Sequence, residues 1–201
     1  MKILVTAFDP FGGETVNPAQ RALELLPDVI GGAAVHKLAA PTVFGGAAEL
    51  VCREMDRLRP DAVVCLGQAG GRDAVTPERV AINIMDARIP DNAGQQPVDQ
   101  PIEPEGPAAY FSTLPVKKMA AAIQAEGLPG RVSNTAGTFV CNSLLYSVLH
   151  HAAQTMPDTR CCFIHVPYIP EQTADKPDTP AMPLQDIIRA LTAAIRTAAG
   201  E

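Results

Sequence analysis

Positive charge is scarce in this chain. Lys and Arg number 16 against 22 Asp and Glu in 201 residues, a net charge of −6, and only 19% of residues are charged. No global positive field exists to gather phosphate backbones or anionic lipid, which argues against nucleic acid or a membrane surface as partner. Long apolar runs are missing too. The longest uncharged stretch, residues 132–157, contains Ser133, Asn134, Thr135, Asn142, Gln154 and two histidines, too many polar groups for a bilayer span. The opening MKILVTAFDPFGG has only a short apolar run before Asp9, less than a secretory signal requires. Five cysteines, an odd number at irregular spacing, offer no disulfide framework, so free thiols in a reducing, cytoplasmic compartment are expected. There is no internal repeat.

What remains suits one substantial core. A hydrophobic content of 47% over 201 residues predicts a single domain, 1–201. Residues 2–7 read as a first strand that runs into the turn-rich segment Asp9-Pro10-Phe11-Gly12-Gly13. Asn17 can cap a following helix and Pro18 can take its first position. Helices are predicted over 47–58, 116–125, 139–154 and 184–198, and strands over 61–66, 79–85, 131–134 and 160–166. Strands separated by helices predict a three-layer α/β/α sandwich with a mixed, largely parallel sheet. The proline-dense segments 90–107 and 167–183 read as surface loops.

Cys141, in SNTAGTFVCNSLLYSVLHH (133–151), falls in the first turn of a predicted helix. Unpaired N–H groups and the positive helix end there favour a thiolate and can hold an oxyanion. A small residue filling a helix–sheet gap would look the same. His165 shares one strand face with Cys161 and Phe163 near a strand's carboxyl end, where sites collect in open α/β sheets. It can serve as general base and acid, or be satisfied by backbone bonds. His36, His150 and His151 read as structural. Cys52 and Cys65 read as packing residues, and Cys161 and Cys162 point to opposite faces with no second ligand pair at zinc spacing, so no metal site is expected. A thiol–imidazole pair needs an orienting acid, and Glu78, Asp86 and Asp91 all qualify by position.

The stretches VTAFDPFGGETVNPA (5–19), GQAGGRDAVTPERVAINIMDARIPDNAGQQPVDQPI (67–102), SNTAGTFVCNSLLY (133–146) and FIHVPYIPEQ (163–172) together resemble the pyrrolidone carboxyl peptidase (pyroglutamyl peptidase type I) family, in its order and across nearly the whole chain. The resemblance implies a cysteine peptidase that removes N-terminal pyroglutamate through a thioester. Cys141 would be its nucleophile, His165 the general base and acid, and Glu78 the orienting carboxylate. It also implies an α/β/α fold, commonly a homotetramer, no cofactor, Arg88 beside the nucleophile as an oxyanion contact, and a substrate pocket lined by Phe8, Phe11, Gln68, Phe139 and Val140. Two other readings stand beside it. One is a phosphorylase-like protein, disfavoured because Phe11-Gly12-Gly13-Glu14 lacks the Lys and Ser/Thr of a P-loop. The other is a binding module that keeps the pocket without turnover.

Overall fold

The computed structural model of the chain describes residues 1–200. Its centre is a six-stranded sheet. Strands β1 (Lys2–Phe8), β3 (Ala33–Ala40), β4 (Ala62–Gln68) and β8 (Arg160–Val166) run parallel, in the spatial order β3-β1-β4-β8. Short strands β2 (Val29–Ile30) and β5 (Thr76–Pro77) close the two edges, each antiparallel to its neighbour. The β1, β4 and β8 sequences are almost unbroken apolar runs because they are covered on both faces.

Side chains alternate between two cores. Ile3, Val5, Ala62, Val64, Leu66, Cys162 and Ile164 pack against helices α1 (Pro18–Leu25), α3 (Val116–Ala125) and α5 (Leu184–Ala198). Leu4, Phe8, Val63, Cys65, Cys161 and Phe163 pack against α2 (Gly46–Leu58) and α4 (Val140–Thr155). This is the three-layer sandwich expected. Asn17 caps α1, accepting from Ala19 N at 3.0 Å, and Pro18 follows at the helix start. Among the described residues no helix is long and apolar enough to cross a membrane.

Two predicted strands are corrected. Of residues 79–85 only β6 (Val80–Ile82) is extended, and it pairs with β7 (Ala109–Phe111) outside the main sheet. The chain turns directly after β6, where Ile84 N donates to Ile82 O at 2.9 Å, and the Asn142 side chain holds that turn by donating to Ile82 O and Ile84 O and accepting from Ile82 N. Residues 131–134 form no strand: the segment makes two isolated bridges, Gly130 with Val75 just before it and Ser133 with Glu78 within it. Pro77 sits between those bridges and has no N–H to give a continuous ladder. The proline-dense segments are loops tied to the body. In one, Asp91 accepts from Phe44 N, Ala93 N and Gln95 N. In the other, Pro170–Gln172 form a short 3₁₀ turn.

Strand order fixes where a site can form. From β1 the chain passes through α1 to β3 on one side, then through α2 to β4 on the other. The order therefore reverses between β1 and β4, and in open α/β sheets a crevice opens at the carboxyl ends of such strands.

Candidate active site

That crevice is a cleft of about 680 Å³ at the ends of β1, β4 and β8, and both Cys141 and His165 open onto it. The pleat turns both toward it. His165 lies on the same side of β8 as Phe163, which is the side that α4 covers, and Cys141 is in the first turn of α4. Gly67 is the register partner of His165 on β4. A Cβ at Gly67 would stand 2.6 Å from the Phe163 ring and 3.2 Å from Cys141 Sγ, so glycine is what lets the helix turn come this close to the sheet.

Glu78 lies behind the histidine, fully buried between β5 and β6. Its N–H donates to Phe163 O at 2.8 Å, and its carbonyl accepts from Ser112 Oγ at 2.7 Å, so its backbone is held on both sides. Oε1 stands 2.7 Å from His165 Nδ1. The same oxygen accepts from Arg72 Nη1 at 2.6 Å, whereas Oε2 is buried without a hydrogen-bond partner among the described residues. Burial pushes the Glu78 carboxyl up, but it is outweighed by the hydrogen bond and charge of His165, the nearby Ser133 hydroxyl and the Arg72 charge, and the net shift is downward. Ser133 nevertheless turns its own proton to Thr135 O, at 3.0 Å, in this arrangement. The other acids weighed from the sequence are placed elsewhere. Asp91 is consumed by its turn, and Asp86 is exposed at the cleft rim.

Burial pulls the His165 imidazole below its ordinary value, and Glu78 offsets this only in part. With Glu78 ionised and accepting at Nδ1, the neutral ring carries its proton there and leaves Nε2 as an acceptor. At the thiol, burial works against the helix terminus. Burial, with the Glu78 charge adding to it, pushes Cys141 up to about 12, against the lowering effects of Arg72 and the backbone N–H. A helix terminus contributes about 1 kcal/mol, less than one pKa unit, so it cannot hold a thiolate against burial of this size. Burial therefore favours the neutral form of both the thiol and the imidazole.

The cleft walls come from several loops. Phe11 and Phe139 stand with ring centroids 6.0 Å apart, and both line it, as do Gln68 and Arg88. Gln172 Nε2 donates to Gln68 Oε1 at 2.8 Å and so fixes which way that amide faces. Glu14, on the same wall, is paired with Lys176 at 2.7 Å. Phe8 and Val140 lie behind the wall, each 1% exposed: Phe8 packs on Phe163, with centroids 6.2 Å apart, and Val140 faces the core. Neither is among the residues that line the cleft. A second hollow of about 550 Å³ carries Cys52, His150 and His151. His150 is bonded to Tyr110 Oη and His151 to Asp56, each at 3.0 Å, as structural histidines would be.

Sequence reasoning did not find Arg72, Gly67, Ser133 or Gln172. Gly67, at the end of a buried strand just before a Gly-Gly turn, was the one with a local signal. A thiol and an imidazole on one cleft, with a carboxylate buried behind the ring, form the equipment of an acyl-transfer hydrolase. The comparisons with known proteins narrow this class. The family model described as pyroglutamyl peptidase matches residues 1–201. A pyrrolidone-carboxylate peptidase of Levilactobacillus brevis is 57% identical over 98% of this chain and 96% of its own. One from Streptococcus pyogenes is 56% identical over 97% and 91%. Among solved structures, pyroglutamyl peptidase I of Bacillus amyloliquefaciens superposes with a TM-score of 0.96 at 48% identity, covering 100% of this chain and 97% of that one. A mutant pyrrolidone carboxyl peptidase of Pyrococcus furiosus gives 0.94 at 42% identity, with 100% and 99% covered. The chain belongs to the pyroglutamyl peptidase family, a family of peptidase hydrolases.

Proposed function

We propose that the protein is a cysteine peptidase that removes N-terminal pyroglutamate from peptides. The observation that carries this reading is the meeting of Cys141 and His165 on one cleft with Glu78 bonded behind the ring at 2.7 Å, in a chain of this family. As the thiol is neutral at rest, His165 Nε2 takes its proton while Sγ bonds to the pyroglutamyl carbonyl carbon. The resulting oxyanion is held by N–H groups at the start of α4, which no side chain caps, and by Arg88. The imidazolium, stabilised by Glu78, then protonates the departing amine as the C–N bond breaks. Water attacks the thioester, its proton passes to His165, and the thiol leaves with that proton as free pyroglutamate is released.

Pyroglutamate is a small neutral lactam without an α-ammonium group. An apolar wall of Phe11 and Phe139 suits its ring, and Gln68, its carbonyl already engaged by Gln172, offers its NH₂ to the lactam oxygen. The same reading includes a reducing, cytoplasmic location, supported by five free cysteines, and a homotetramer, supported by the family resemblance. Light scattering on the purified protein tests the assembly. The function is tested by offering a fluorogenic amine as its pyroglutamyl, prolyl and glutaminyl amides. Release from the pyroglutamyl amide alone is expected. Binding of that amide without release, or equal release from all three, contradicts the proposal.

A further inference from the structure

Arg72, in the loop after β4, reaches past the cleft wall to the buried acid. Nη1 donates to Glu78 Oε1 at 2.6 Å and to Thr76 Oγ1 at 2.5 Å, and Nη2 donates to Thr135 O at 3.0 Å. The side chain is 27% exposed and lines the cleft, while the acid it touches is 0% exposed. We propose that Arg72 is a positioning residue of the reaction, holding the Glu78 carboxylate ionised and oriented toward His165 while tying together the rim loops 69–75 and 133–139.

The need arises from the resting state. His165 is neutral there, so Arg72 is the one formal positive charge in direct contact with Glu78 among the described residues. Removing it leaves a buried carboxylate facing only a neutral ring, and such a group relieves the penalty by taking up a proton. A protonated Glu78 has lost the charge that stabilises the imidazolium. Orientation fails as well. Oε1 takes both donors and Oε2 takes none, so the Arg72 fork selects which oxygen faces Nδ1. Lys cannot reach Glu78, Thr76 and Thr135 together, because an ammonium lacks the fork.

The groups that face one another here are Glu78 from between β5 and β6, His165 from β8, the Cys141 thiol from α4, the Ser133 hydroxyl and Arg72 itself. Arg72 lowers both Glu78 and His165. Its removal therefore moves the acid limb of activity to higher pH.

The inference rests on the roles proposed above for Cys141, His165 and Glu78, and the test separates the two. Arg72→Met, Arg72→Gln and Arg72→Lys are compared with the parent enzyme on a pyroglutamyl amide, each first checked for a cooperative thermal transition. The neutral variants are expected to lose kcat by about 10- to 100-fold, the loss of one charge-assisted hydrogen bond. KM should stay within about twofold, and the acid limb should move up. Arg72→Lys should restore the acid limb and part of kcat. Arg72→Met added to Glu78→Gln should cost little more, because Arg72 acts through Glu78. The Glu78 titration, followed by NMR of its carboxyl carbon, reads the same effect without substrate and should shift upward in Arg72→Met. A parent enzyme inactive on pyroglutamyl amides would overturn the functional reading, with the NMR shift still deciding the role of Arg72. Unchanged kcat and titration in a folded Arg72→Met, or an undiminished loss in the Glu78→Gln background, overturns the inference.

Discussion

A methyl group at Gly67 would stand 3.2 Å from Sγ of Cys141, so the bare backbone of β4 is part of what positions the thiol. The same methyl would run into the Phe163 ring, which packs on the His165 imidazole with centroids 4.7 Å apart. Gly67→Ala is expected to displace both reacting groups at once. Activity should fall about 100-fold, the penalty of misplacement near 1 Å, and overpacking beside Phe163 should cost about 1–3 kcal/mol of stability. Steady-state kinetics beside a melting curve check this. Full activity would mean that the approach of α4 to the sheet is not critical.

The pH dependence follows from the buried pair. Burial holds His165 below 6.5, so the acid limb of kcat/KM should lie below that value. Glu78→Gln removes the group that raises His165 by hydrogen bond and charge, so the limb should move lower still. The rate should fall roughly 10²- to 10⁴-fold for want of a carboxylate facing the imidazolium. Stability has the same sign. Glu78 is held below its unfolded value, so its contribution is present above that value and is lost as the pH falls through the folded one. A buried neutral His165 adds to the loss in acid. Urea midpoints taken across the acid range should fall for the parent protein and fall less for Glu78→Gln.

Thiol reactivity separates a neutral resting pair from a preformed ion pair. With burial pushing Cys141 up to about 12, alkylation by iodoacetamide should quicken steadily as the pH rises through neutrality. A rate already at its plateau in mildly acidic solution would instead show a thiolate–imidazolium pair at rest.

Asn142, beside the nucleophile, clamps the first turn of α4 to the segment that leads toward Arg88. It is 1% exposed, accepts from Ile82 N at 3.0 Å, and donates to Ile82 O and Ile84 O at 2.9 and 3.0 Å. Asn142→Ala leaves these partners unmatched and should destabilise the fold by roughly 2–3 kcal/mol. Chemical denaturation measures this. A change within about 0.5 kcal/mol would mean that water replaces the side chain without loss.

Much of this architecture was legible from local patterns. The β1 and β8 runs, the Asn17-Pro18 helix start, and the faces of α3 and α5 follow from apolar periodicity and capping chemistry that act within one element. Segments stabilised from far along the chain were not legible. Residues 79–85 carry a strand-like composition, yet the chain turns after Ile82, and Asn142, some 60 residues away, holds that turn. The site divides in the same way. Cys141 at a helix start and His165 at a strand end had local reasons, whereas the choice of Glu78 over Asp86 and Asp91 depended on family resemblance. Arg72 carried no signal, because its partners Thr76, Glu78 and Thr135 come together only through the fold. The thiol's surroundings divide likewise: helix position can be read from sequence, but the depth of burial that opposes it cannot.

The central claim is that Cys141 cleaves pyroglutamyl amides. The most direct measurement compares release of a fluorogenic amine from a pyroglutamyl amide by the parent protein and by folded Cys141→Ser. The parent is expected to turn over, and Cys141→Ser to be inactive or nearly so. Parental activity in Cys141→Ser would contradict the account.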